Sequence, residues 1–153
     1  MKIAIGSDHA GFELKTYLKG ILEKEKQAIV DVGAESENSV DYPDFGIQVA
    51  RLVSEGRVDR GVLVCGTGVG MSITANKVRG VRAALVHDLF TAIQSRRHVD
   101  ANVLVLGGRV IGKGLAAEML KAWLAEPFEG GRHAQRLEKI YKLEEECFKT
   151  SGQ

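Results

Sequence analysis

Cys65 closes the apolar run GVLVC at 61–65 and is followed at once by GTGVG at 66–70, which sets a thiol beside three glycines. Glycines in such a loop let several backbone N–H groups converge on one anion. The loop amides and the dipole of a following helix favour the sulfur anion, and a thiolate can act as base or nucleophile. Read alone, a cysteine that ends an apolar strand is more often a small core hydrophobe. Thr67, the glycines and a downstream His98 turn the reading toward chemistry. The loop is no dinucleotide fingerprint: after Gly66 and Gly68 the third glycine comes one residue early, and Met71 stands in its place. Asp88 nevertheless lies near the spacing of a ribose-binding acid. The other glycine-flanked loop, 6–11, runs on into Phe12 and Glu13 and so lacks the Lys and Ser/Thr of a P-loop.

These groups need elements to hold them. Residues 2–6 form a β-branched run ending in glycine, and 10–22 carry Phe12, Leu14, Tyr17, Leu18, Ile21 and Leu22 at helical spacing. The alternation repeats with strands expected at 28–32, 61–65, 82–86 and 102–106 and helices at 44–54, 71–77, 88–97, 113–124 and 132–148, with Pro43 suited to a first helical turn. The strand at 61–65 has no polar face, as expected of a parallel sheet covered on both sides. The pattern predicts an α/β fold: a Rossmann-like, doubly wound, five-stranded parallel sheet in a three-layer αβα sandwich. Ligands there sit beyond the carboxyl ends of the strands, and each motif is expected to fall at such an end. The stretch 126–131 is the one hinge-like segment before a charged C-terminal helix, whose Leu137, Ile140, Tyr141, Leu143 and Phe148 suit its own core or a second subunit.

Length and composition bound the reading. The 153 residues suit a single domain, 1–153, with a core that needs neither disulfide nor structural metal. Hydrophobic residues are 44% and charged residues 27%, a globular profile, and the formal charge of +1 argues against a general nucleic-acid surface. No apolar run is long enough to cross a bilayer and the N-terminus lacks a signal-peptide pattern, so a cytoplasmic protein is expected. Cys65 and Cys147 then read as free thiols, and no Cys/His spacing resembles a zinc site.

Several ordered motifs carry a resemblance over almost the entire chain: GSDHAG at 6–11, VDYPD at 40–44, CGTGVGMSITANK at 65–77, RRHVDANVL at 96–104, GGRVIG at 107–112 and PFEGGRHAQR at 127–136. The chain resembles the type B ribose-5-phosphate isomerases and their galactose- and allose-6-phosphate isomerase relatives. The resemblance implies a sugar phosphate whose ring opens before a proton moves between C1 and C2, without metal or organic cofactor. It carries over Cys65 as the base, His98 as the acid for ring opening and Thr67 as a helper. Asp8 and His9, the loop Gly66, Thr67, Gly68, Val69 and Gly70, and position 99 correspond to substrate contacts. Arg109, Arg132 and Arg136 correspond to phosphate-binding arginines, a task for which the guanidinium fork is well shaped. The family's C-terminal helix reaches a neighbouring subunit's site, which implies at least a dimer.

Residue types support those roles. A carbon acid beside a carbonyl needs a base and donors for the enediolate oxygen, which the amides of 66–70 would supply, and histidine exchanges protons near neutrality. Some relatives use a glutamate one turn into the loop; Met71 stands there, which puts this chain in the cysteine branch. Plainer readings exist: Asp8 as a helix cap, His98 capping carbonyls, two solvated arginines on a charged helix, and purely structural Tyr42 and Asn76. His133 is a supporting neighbour of the arginines. One departure bears on substrate choice: the family usually has Asn after the histidine, and Val99 offers no hydrogen bond. A six-carbon substrate such as allose or galactose 6-phosphate is therefore one alternative to ribose 5-phosphate, and a non-catalytic sugar-phosphate or nucleotide-binding module is another.

Overall fold

The computed structural model describes residues 1–149. Its strands are β1 (Lys2–Ser7), β2 (Ala28–Asp31), β3 (Arg60–Cys65), β4 (Ala83–Leu85) and β5 (Val103–Gly107), all parallel, in the order β2-β1-β3-β5-β4. The helices are α1 (Phe12–Lys24), α2 (Tyr42–Ser54), α3 (Val69–Ala75), α4 (Leu89–Val99), α5 (Lys113–Ala125) and α6 (Arg132–Lys149). The α/β architecture matches the sequence expectation.

Side chains alternate across each strand, so each strand serves two cores. Ile3, Ile5, Val62 and Leu104 pack with Leu14 and Leu18 of α1 and with Met119, Leu120 and Trp123 of α5. Ala4, Leu63, Val105 and Cys65 face the other way, toward Val49 and Ala50 of α2 and Met71 and Ala75 of α3. The chain leaves β1 toward β2 and returns to β3 on the opposite side, so the strand order reverses between β1 and β3. A cleft opens at such a reversal, beyond the carboxyl ends of the two strands.

Local chemistry accounts for the shifted boundaries. α1 begins at Phe12 because the Asp8 carboxylate accepts the Gly11 amide at 3.0 Å and holds the preceding residues in a turn. Gly11, not Asp8, therefore occupies the cap position. Asp88 caps α4, accepting the Thr91 amide and hydroxyl, each at 2.8 Å, which accounts for this carboxylate without a ribose. β4 is three residues long and pairs only with β5. The Asn76 side chain covers its outer edge: the amide group donates to the Ala83 carbonyl at 2.9 Å and accepts the Ala83 N–H at 2.8 Å. Asn76 thus does what a neighbouring strand would do.

α6 stands apart from both cores. Only His133 and Leu137 of it are buried, while Ile140, Leu143 and Phe148 are exposed. A groove of about 530 Å³ runs between those side chains and the β4 edge, with Val81, Ala83, Ala84 and Val99 on its other wall.

Candidate active site

Cys65 is the last residue of β3, and its side chain leans into the α2/α3 core while its backbone opens the glycine loop. The Gly68 N–H donates to Sγ at 3.1 Å, so one side of the sulfur is apolar packing and the other is a peptide dipole. That geometry requires glycine at 68. Its φ is +81°, a conformation that favours glycine, and an added Cβ would meet Leu85 Cδ1 and the Leu106 backbone. The Val69 amide donates to Thr67 Oγ1 at 3.3 Å, and the Thr67 side chain itself is exposed. Two of the five loop amides are therefore engaged within the loop, which leaves those of Gly66, Thr67 and Gly70 to meet a ligand. The Tyr42 ring lies against Gly70, where a Cβ would fall within 2.6 Å of Cζ, so Tyr42 forms a wall of the loop.

Two neighbouring strands add to this end of the sheet. Asp8 is buried directly after β1, with its N–H on the Val64 carbonyl at 3.3 Å. His9 Nδ1 accepts the Val40 amide at 3.2 Å. A ring nitrogen that accepts carries no proton, so neutral His9 holds its proton on Nε2 and presents a donor. After β5, the Gly108 and Arg109 amides donate to the carbonyls of Cys65 and Gly66 at 2.8 and 3.0 Å. These bonds bring the Arg109 side chain over the loop, where Nη1 would lie 3.6 Å from a Cβ at Gly66. Asp8, His9, Cys65 to Gly70 and Arg109 thus gather at the strand reversal, as expected.

His98 and Val99 do not. They lie in the last turn of α4, which leaves the carboxyl end of β4 and runs back across the sheet for eleven residues, about 16 Å. They therefore sit toward the amino ends of the strands, where the Val99 and Asp100 carbonyls accept from Arg82, just before β4. The expectation that every motif would fall at a strand's carboxyl end fails here, because a helix returning to start the next strand must end on the opposite edge. Arg132 and Arg136 belong to the same remote group. The rings of His98 and His133 stack with centroids 4.1 Å apart and planes 9° from parallel, and His133 lies between the two arginines in sequence. Among the described residues, no hydrogen bond, ion pair or ring contact joins this group to the one around Cys65.

The second group is tied down firmly. Arg97 binds Glu126 at 2.6 Å, and its carbonyl accepts the Glu129 amide at 3.1 Å, which anchors the linker before α6. His133 Nε2 is 3.5 Å from Glu129 Oε2. Burial, then the nearby His98, Arg132 and Arg136, push the His133 imidazole below its ordinary pKa, with Glu129 opposing. No ion pair holds the Arg109, Arg132 or Arg136 side chains among the described residues, so all three guanidinium groups remain available to an anion. Sequence reasoning undervalued His133: its position between two arginines was visible, but its stacking on His98 arises from the packing of α6 on α4. Val99 is exposed and lines the apolar groove. Met71 is fully buried against α2, and its thioether can take no proton.

A family profile described as ribose/galactose isomerase matches residues 3–140. The ribose-5-phosphate isomerase B of Escherichia coli (strain K12) is 46% identical over 144 residues, which cover 94% of this chain and 97% of that protein. The structure of the ribose-5-phosphate isomerase B of Clostridium thermocellum is similar at a TM-score of 0.95 and 49% identity, covering 96% of this chain and 99% of that one. A structure of the Mycoplasma genitalium enzyme with bound ribulose 5-phosphate is similar at a TM-score of 0.91 and 41% identity, covering 95% and 97% of the two chains.

Proposed function

The chain belongs to the ribose/galactose isomerase family, and from that premise we propose that it interconverts ribose 5-phosphate and ribulose 5-phosphate in a site built from two copies of itself. Phosphate is held by Arg109 and the Nε2–H of His9 from one copy, with Arg132 and Arg136 from the other. His98 of the second copy gives its proton to the ring oxygen while the anomeric O–H passes its proton to solvent water, which opens the ring, with Thr67 beside it. The Cys65 thiolate takes the C2 proton of the open aldose. Amides of Gly66, Thr67 and Gly70 hold the enediolate oxygen, a placement that stabilises the transition state because the dipoles are already fixed. Cys65 then delivers that proton to C1 while the O2–H proton passes to O1, so that C2 becomes the carbonyl carbon of the ketose. Asp8 Oδ1 is occupied by Gly11, so its other oxygen is the acceptor for a sugar hydroxyl.

One observation carries the shared site: the sulfur and the His98 imidazole lie toward opposite edges of one chain's sheet. A lone chain then has two half-sites, and two copies related by a twofold axis make two whole ones. The apolar groove between α6 and the β4 edge, with Ile140, Leu143 and Phe148 exposed around it, supplies surface for such a contact. Val99 removes a hydrogen bond worth about 1 kcal/mol to a substrate hydroxyl, so the expected cost is weaker discrimination rather than lost turnover.

Subunit mixing tests this. Cys65→Ala and His98→Asn chains are each expected to be inactive alone. After joint unfolding and refolding, each mixed dimer regains one intact site, so about a quarter of wild-type activity returns. No recovery, with mixed dimers demonstrated, would refute a shared site. Turnover of allose or galactose 6-phosphate at higher kcat/KM than ribose 5-phosphate would instead move the substrate to a hexose.

A further inference from the structure

We propose that His98, Glu129 and His133 form a binding site for a divalent transition metal of the zinc class, and that its occupation reversibly shuts off the isomerase. The three residues come from different segments: the last turn of α4, the linker before α6 and the first turn of α6. Each offers a ligand atom, and all three atoms lie within 4.8 Å of one another. Glu129 Oε2 and His133 Nε2 are 3.5 Å apart, too long for the hydrogen bond that a carboxylate and a ring N–H would otherwise make. It is close to the separation of two ligands on one tetrahedral zinc, roughly 3.4 Å for bonds of about 2.1 Å.

The donor set points to the metal class. Two imidazoles and one carboxylate suit zinc and its neighbours, whereas magnesium and calcium demand all-oxygen surroundings. Arg132 and Arg136 repel any cation, so only a metal that forms strong bonds to nitrogen would hold here. With three protein ligands, the fourth position stays open to water or to a sugar oxygen. The backbone is already prepared, because the Arg97 carbonyl takes the Glu129 amide and His133 is buried. What must change is side-chain torsion: the stacked rings have to tilt until their nitrogens face one point. No Cys/His spacing in the sequence announces this site, since its ligands converge only when α6 packs on α4.

The inhibitory consequence rests on the role of His98 proposed above; the binding does not. Cobalt(II) titrated into the full-length protein without substrate reads binding directly through its visible d–d absorption. One equivalent per chain is expected, with the intensity of tetrahedral coordination and no thiolate charge-transfer band. Glu129→Gln, at an exposed position, and His133→Gln should each weaken binding about tenfold or more, and Cys65→Ala should leave it unchanged. Zinc should displace the cobalt, inhibit turnover, and lose that effect on addition of a chelator. Absent cobalt binding, or binding lost with Cys65→Ala yet untouched by Glu129→Gln, would overturn the site. Cobalt binding with full activity retained would leave the metal site standing and refute His98 as the ring-opening acid.

Discussion

Replacing Gly68 by alanine attacks the sulfur's surroundings without touching the sulfur. The residue has φ +81°, which costs an L-amino acid about 1–2 kcal/mol. The new Cβ would lie 2.4 Å from Leu85 Cδ1 and 3.1 Å from the Leu106 carbonyl carbon. Leu85 can rotate, but the Leu106 backbone belongs to a paired central strand, so relief must come from the loop, at about 1–3 kcal/mol for overpacking. A loss near 3 kcal/mol lowers Tm by about 6–12 °C in a chain of this size. Moving the loop also withdraws the Gly68 N–H from Sγ and displaces the neighbouring amides that hold the enediolate oxygen, and losing one such donor lowers kcat about a hundredfold. Calorimetry and a ribose 5-phosphate assay read both effects. Gly20→Ala is the control: it sits within α1 with nothing inside 4 Å, and should raise stability by about 0.5–1 kcal/mol. A Gly68→Ala protein that melts within about 1 °C of wild type with undiminished kcat would refute the reasoning.

Asn76→Ala should cost about 1–2 kcal/mol in urea unfolding, because the Ala83 N–H and carbonyl lose their partner, while kcat stays near wild type. A large fall in kcat at unchanged stability would place Asn76 in the site instead. Acid stability depends on Asp31: burial pushes its carboxyl up, but Lys15, the Gly33 amide and Lys19 together outweigh that and hold it below the usual value of 3.8. A carboxylate lowered on folding adds stability above its unfolded pKa and loses it as pH falls through the folded value. Thermal melts below about pH 5 should therefore show a progressive decline that Asp31→Asn flattens.

The fold was legible because its signals are local. The unbroken apolar run into Cys65 could only be a strand covered on both faces, and Pro43 marked the start of α2 within a residue. Half of the candidate site was legible for the same reason, since strand ends carry Asp8, His9, Cys65 and Arg109 to one edge. What escaped was direction. His98 stands in a helix that runs against the strands, so its distance from Cys65 depends on which end of α4 it occupies, and a motif carries no such vector. Asp88 matched a ribose ligand in spacing alone, because a helix cap and a ribose ligand call for the same residue type after a strand. A structural Asn76 was legible but its partner was not, because Ala83 becomes an edge residue only once β4 takes the outermost place.

In the proposed mechanism the Cys65 sulfur lifts a proton from C2 of a bound sugar. Exchange of that proton with deuterated water, followed by NMR during incubation with ribose 5-phosphate, measures this step directly. Cys65→Ala should abolish exchange while phosphate-ligand binding by calorimetry stays close to wild type. Exchange at the wild-type rate in Cys65→Ala would assign the base to another residue.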